Sequence, residues 1–305
     1  MDRTIFSSIK RKNTDKDFCS FEIRHDGVVF AHVSIDNPSQ KINLKQFGLY
    51  PYNDITHLEF SLHEIVEKYG LQEMNCNIIL HPRDYRLLLV NKPEVPTSEY
   101  RSALKWMIKD MVDYPLEDLT IDIFAPSGLS ENTAKKLYVV ATQTSLVQRI
   151  FDIATRTLLK PIAIDIREFA IRNLLTKVIS DKESIIFLHP NQISSLLLTI
   201  NKHMLYFARQ IPAGLDILSS NSLELEREIH NSLDYYATEL KQNIPTKLLI
   251  APTLEKNQQL FLLALQKVVE NVSFLDINAL IEPSITLTID QQMQTYIAIG
   301  GALRK

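Results

Sequence analysis

Glycine is what this chain has least of for its size: seven in 305 residues, where an average globular protein uses about 7%. Bare backbone is what lets a loop wrap a phosphate, so there are few places where this chain could do so. Cysteine is scarcer still. Cys19 and Cys76 both sit in apolar, strand-like runs at no metal-ligand spacing, which points to buried thiols and a reducing compartment. No uncharged apolar stretch approaches the ~18 residues that a membrane span needs. The start, MDRTIFSSIKRKNTDKDF, has neither an apolar h-region nor a small-residue cleavage site, so a cytoplasmic protein with no direct membrane span is expected. A formal net charge of −3 gives no electrostatic case for nucleic acid. The histidines do not pair at ligand spacing, and His63-Glu64 lacks the second histidine of a zinc-protease helix, so no metal is expected. There is no Gly-x-Ser-x-Gly elbow and no Walker loop, and Ser127-Gly128-Leu129-Ser130 reads as a turn. Asp234 with Glu228, and Asp165 with Glu168, lie on helices or at their starts. A solvated face or favourable N-terminal charge explains them, so no catalytic residue and no enzymatic activity is assigned.

What is present is an ordinary globular composition, 45% hydrophobic and 23% charged, with enough chain for two cores. Residues 1–17 carry Arg3, Lys10, Arg11, Lys12 and Lys16 with little apolar pattern. They read as a flexible leader, with contact to anionic lipid as the sharper alternative. Strands are expected over 18–24, 28–35 and 42–50, with a turn at His25-Asp26-Gly27. A helix then places Phe60, Leu62, Ile65, Val66 and Tyr69 near one face and stops at Gly70. A strand over 76–80 closes this set. Residues 84–90 form a further strand, and the Pro-containing stretch 92–96 makes a stiff connector. A helix capped by Thr97 or Ser98 runs to about Asp113, with Tyr100, Leu104, Met107, Ile108 and Met111 on one face. Trp106 points away from that stripe. The connector or a partner must cover it. Strands follow over 120–124 and 137–142, then a helix over 145–159 bearing Val147, Ile150, Phe151 and Ala154. The run Pro161-Ile162-Ala163-Ile164 has an open register and leads into a helix through Arg167, Phe169, Ile171 and Leu174.

The second half opens on a meander, 185–188, 195–200 and 204–209, whose last two strands are joined by a tight polar turn at Asn201, Lys202 and His203. A helix over 223–240 puts Leu225, Ile229, Ser232, Leu233 and Tyr236 inward. A strand over 247–250, a helix over 258–269 and a last strand over 296–300 finish the chain. The order β-β-β-α-β-α therefore occurs twice, the first copy interrupted. This is the order of a duplicated actin-like (ribonuclease-H-like) α/β fold of two lobes. It predicts a leader over 1–17, a first lobe over 18–182 with an inserted subdomain at 83–124, and a second lobe over 183–305.

Several stretches resemble the PilM and MshI family of actin-like type IV pilus assembly proteins. They are Pro93-Glu94-Val95-Pro96 with the following helix and Tyr114-Pro115-Leu116-Glu117-Asp118-Leu119; 163–170, AIDIREFA; 204–214 with Phe207-Ala208-Arg209; 228–236, EIHNSLDYY; and 299–304, IGGALR. The match is more similar to MshI, of mannose-sensitive haemagglutinin (MSHA) pili, than to PilM. The resemblance implies a cytoplasmic scaffold held at the inner membrane through partners: a PilN-like inner-membrane pilus protein whose cytoplasmic tail it docks, and the assembly ATPase. In PilM the tail lies between the first lobe and its inserted subdomain, which makes Tyr85, Leu87 and Trp106 the expected contacts. ATP-binding members carry an Asp-x-Gly in each half and a glycine pair near adenine. Here Glu22-Ile23-Arg24 stands at the first place, with an arginine side chain where glycine would be. Leu188-His189-Pro190-Asn191 stands at the second, and Ala251-Pro252 at the third. These departures imply that no cofactor is held. The alternative is an ATP-binding switch or weak ATPase of the same machinery, with an arginine on the phosphate. A third resemblance, to the cytoplasmic domain of a type II secretion protein, fits less well, because such chains continue into a membrane span.

Overall fold

The computed structural model describes residues 17–34, 41–52, 55–125, 135–180, 183–218 and 220–304. The expected leader, but for Asp17, and the turn at Ser127 lie outside these. The chain divides into two compact units, Met1–Leu174 with Ile297–Lys305, and Leu175–Tyr296.

In the first unit, β1 (Asp17–Ile23), β2 (Gly27–Ser34) and β3 (Asn43–Pro51) form the meander, followed by α1 (Leu58–Tyr69) and β4 (Asn75–Ile79). Then come β5 (Tyr85–Asn91), α2 (Tyr100–Ile108), β6 (Leu119–Phe124), β7 (Lys136–Gln143), α3 (Thr144–Arg156), β8 (Lys160–Asp165) and α4 (Arg167–Leu175). The main sheet has the order β3-β2-β1-β4-β8. Strict alternation along β1 sends Cys19, Phe21 and Ile23 into the core shared with Leu62, Ile65 and Val66 of α1 and Ile150, Ile153 and Ala154 of α3. Ser20 and Glu22 take the opposite face. There the Ser20 hydroxyl donates to the Ala298 carbonyl, and Asn77 Nδ2 donates to the Gly301 carbonyl at 2.7 Å. Pairing of Asn77 with Ala163 and Ile79 with Asp165 fixes the register that four apolar residues left open.

The inserted subdomain has its own sheet, β5-β7-β6, and its own core, in which Tyr100, Leu104 and Ile108 of α2 cover Leu119, Ile121, Leu137, Val139 and Ala141. Its central strand is β7, beyond the expected limit of 124. Strand alternation reveals a sheet face but not which sheet the strand joins. The helix is also shorter than expected, and Met107 and Met111 are exposed, as are Phe60 of α1 and Phe151 of α3.

The second unit repeats the plan. β9 (Ser184–Pro190), β10 (Ser195–Asn201) and β11 (Met204–Ile211) meander, with Lys202 and His203 both at positive φ in the two-residue turn. Then come α5 (Leu215–Leu218), α6 (Ser222–Thr238), β12 (Lys247–Ile250), α7 (Glu255–Leu265), β13 (Asn271–Phe274) and α8 (Ile289–Ala302). Its sheet order, β11-β10-β9-β12-β13, reproduces that of the first unit position by position. All five residues expected on the inner face of α6 are buried. Residues 296–300 are the end of α8 and not a strand. From Ile297 onward, that end belongs to the first unit and not to the second lobe of 183–305. Hydrophobic patterning could not separate the two readings, because Tyr296, Ile297, Ala298 and Ile299 are all buried, whichever way they face.

Candidate functional site

In open α/β sheets, ligands gather at the carboxyl ends of the parallel strands. In the first unit Glu22, Ile79 and Asp165 form one row across β1, β4 and β8. Two residues further along each segment, past the strand ends, come Arg24, His81 and Arg167. Glu22 is 8% exposed. Burial pushes its carboxyl up to about 7, with Asp26 adding to the shift and Arg24 and Arg167 opposing it. Arg24 Nε pairs with Asp26 at 3.2 Å. His81 lies edge-on to His25, ring centroids 6.1 Å apart. Burial, together with Arg83, His25, Arg167 and Arg24, lowers it to about 4, so it is neutral at pH 7. Asp165 is 1% exposed, accepts the Ile166 N–H at 2.9 Å and pairs with Arg304. The sequence gives no reason to expect Arg167, His81 or Arg304 as site residues, beyond the placement of Arg167 at the opening of a helix directly after a strand.

The phosphate-approach positions have their backbone committed elsewhere. Arg24 keeps its side chain at the first turn, where its N–H donates to Gly27 O at 2.9 Å and its carbonyl accepts from Tyr52 Oη at 2.8 Å. In the second unit the His189 ring meets the Tyr296 hydroxyl, and Pro190 has no N–H. The Asn191 N–H donates to Ser194 O at 2.8 Å, and the carbonyls of Asn191 and Gln192 accept from Leu215 and Asp216 at 3.0 and 2.9 Å. A Cβ on Gly214 would collide with Gln192 O and Ser194 N, so the chain itself packs against this connection. Ala251 and Pro252 are buried, and the Ala251 N–H donates to Leu188 O at 2.9 Å.

The three expected partner contacts separate. Tyr85 is buried, 5% exposed, and its hydroxyl donates to Glu168 Oε2 at 2.6 Å. Burial, then the Glu168 charge, pushes its ionisation well up. A phenol already satisfied inside the protein is not a contact surface, so Tyr85 is corrected to a structural residue. Leu87 is half-buried against the main core. Trp106 is 63% exposed, so the Pro-containing connector does not cover it. Lys109 Nζ lies 5.4 Å from its ring centroid. Among the described residues no group of three or more His, Cys, Asp or Glu could hold a metal ion, and no helix is long and apolar enough to cross a membrane.

No family model matches the sequence, and neither does any curated protein. Solved structures do. A PilM-PilN type IV pilus biogenesis complex aligns over 93% of this chain and 97% of its own, with TM-score 0.71 at 17% identity. The cytoplasmic domain of EpsL, an inner-membrane component of the type II secretion system of Vibrio cholerae, aligns over 92% and 94% with TM-score 0.52 at 13% identity. A Bacteroides thetaiotaomicron protein with an actin-like ATPase fold and unknown function covers 92% and 96%, TM-score 0.52, 11% identity. The fold is actin-like. Within that actin-like frame, the matched sheet orders of the two units are the duplicated core, and β5-β7-β6 with α2 is the insert.

Proposed function

We propose that this protein is a non-catalytic cytoplasmic scaffold of type IV pilus assembly, of the MSHA kind, which docks the cytoplasmic tail of a PilN-like inner-membrane protein. The observation that carries the reading is the commitment of backbone N–H groups at Arg24, Asn191 and Ala251, with proline at 190 and 252, where an actin-like nucleotide site needs free donors. The likeness to a chain solved as a PilM-PilN complex supports the choice of machinery and partner. Calorimetry with Mg-ATP is expected to show no saturable heat up to millimolar nucleotide. Micromolar binding would overturn the scaffold reading in favour of an ATP-driven switch.

On the insert, Trp106 is the exposed aromatic that offers a partner both area and a rigid anchor. Trp106→Ala is expected to weaken binding of the membrane partner's tail roughly tenfold. Leu87→Ala, half-buried in the core, should cost stability as well as affinity. Tail binding by Trp106→Ala equal to wild type, at an unchanged melting midpoint, would remove the insert from the interface.

A further inference from the structure

An open sheet ends on strands whose outer N–H and C=O groups invite another strand, and proteins guard such edges. Here α2 guards β6: Lys105 Nζ and Arg101 Nη1 donate to the outward carbonyls of Leu119 and Ile121. β8 carries a proline at 161, and β13 has only four residues. β3 is different. It is nine residues long, it pairs with β2 alone, and among the described residues nothing is bonded to the outer backbone of 46–51. The outward groups can be named. The Tyr52 N–H donates to the Asp26 carbonyl at 3.2 Å, in register with Gly27 opposite Pro51. Bonded pairs alternate along an antiparallel ladder, so Val28 with Tyr50, Phe30 with Gly48 and His32 with Gln46 are bonded. Phe47, Leu49 and Pro51 therefore turn their backbone groups away from β2. The Arg24 N–H on the Gly27 carbonyl sets the same phase from the β1 side.

We propose that two copies of this protein join β3 to β3 across a two-fold axis at Gly48, fusing their five-stranded sheets edge to edge. The open run is symmetric about that glycine. Three residues before it the ladder slips at Lys45, which has no opposite residue in β2, and three residues after it stands Pro51, which lacks an N–H. Antiparallel pairing about Gly48 sets Phe47 of each copy opposite Leu49 of the other. Each of these two pairs exchanges both its main-chain hydrogen bonds and adds an aromatic–aliphatic contact, as a two-fold interface requires of one surface meeting itself. Charge favours a second copy over a charged segment of another protein. Residues 46–51, QFGLYP, carry no charge, and Lys45 is already paired with Asp17 at 2.7 Å. Lys68, whose Nζ lies 5.3 Å from the Tyr50 ring, stays clear of its counterpart, because the two Tyr50 residues fall four positions apart, about 14 Å along the strands and beyond a Debye length. A neutral, self-matching edge meets no like charge in its own copy and offers an acidic or basic segment nothing to grip. The edge ends the sheet opposite β8 and shares no residue with the insert, so the pairing goes beyond the scaffold reading and does not depend on it.

The test is sedimentation equilibrium of the full chain, joined to amide hydrogen exchange read residue by residue over the same concentrations. The mass is expected to rise from monomer to dimer. Exchange of the Phe47 and Leu49 N–H groups should slow in step with the dimer fraction, while Gly48 and Tyr50, whose N–H groups already serve β2, keep their rates. Leu49→Pro removes an outward donor and no bond to β2, a place where an edge strand tolerates proline. It should melt at the wild-type midpoint and raise the dimer dissociation constant about tenfold or more, since each copy loses one donor. The exchange result on the unaltered chain decides the matter even if the proline variant does not fold. A chain that stays monomeric up to millimolar concentration overturns the proposal. So does a dimer in which Phe47 and Leu49 exchange no more slowly than in the monomer, or a folded Leu49→Pro that dimerises as wild type does. Protection of those two amides that is equal at every concentration also overturns it, and would mean that another segment of the same chain covers the edge.

Discussion

Gly300→Ala is expected to lower the melting midpoint of the first unit by roughly 10 °C, from a cost of about 3 kcal/mol or more. Helix propensity alone gives the opposite sign, because alanine inside a helix is favoured over glycine by about 1 kcal/mol. Packing decides. A Cβ at Gly300 would land on the carbonyl oxygen of Ala170 and within 2.9 Å of its carbonyl carbon, both backbone of α4, and 3.1 Å from Leu174 Cβ. Neither helix can yield locally, since the next residue, Gly301, already lies against Ile79 and Ser20 of the sheet. Gly301→Ala meets the movable Cδ1 of Ile79, with Ser20 Oγ and Cβ at 2.8 and 3.0 Å and no backbone atom among its three nearest neighbours, and should cost less. Gly70→Ala meets nothing within 4 Å and loses only a left-handed cap at φ +63°, about 1 kcal/mol. Thermal melts of the three variants check the order 300, then 301 and 70. A Gly300→Ala protein as stable as wild type would mean that the two helices do not approach as described.

Glu22→Gln is expected to stabilise the protein at pH 8 by about 3 kcal/mol and hardly at all near pH 4.5. In the folded chain burial lifts this carboxyl from its ordinary 4.5 to about 7. Between those values the folded state holds a proton that the unfolded chain has already released, so raising the pH through the window favours unfolding. The penalty is absent below the unfolded pKa and complete above the folded one. Glutamine keeps the shape and has no charge to bury, so it should flatten that part of the profile. Urea midpoints of the two proteins, compared across pH 4.5 to 8, isolate the effect because every other titrating group is common to both. A pH-independent difference would show that Glu22 is solvated.

Legibility in the sequence varied from element to element, for physical reasons. The meanders, the Gly70 stop and the inner face of α6 were readable, since each rests on strict period or on a residue with a special backbone need. The end of α8 was not, although its beginning announces itself. Thr288 and Gln291 form a reciprocal capping box, Thr288 N–H to Gln291 Oε1 at 2.9 Å and Gln291 N–H to Thr288 Oγ1 at 3.3 Å. Strand β13 was missed because four residues at a sheet edge carry too little pattern. At the candidate site, Glu22 and Arg24 stood out for breaking a glycine-dependent pattern. Arg167 and His81 reach them only through the pairing of three strands far apart in sequence.

Residues 297–302 are internal parts of the first unit, with consequences for how the protein is made. As the chain leaves the ribosome, everything from Leu175 to Tyr296 can complete its own core first. Meanwhile the slots beside Ser20, Asn77 and Ala170 wait for residues 298–301 to be made. The unit begun first is therefore finished after the second, and a nascent chain arrested before residue 297 should hold it open to chaperones.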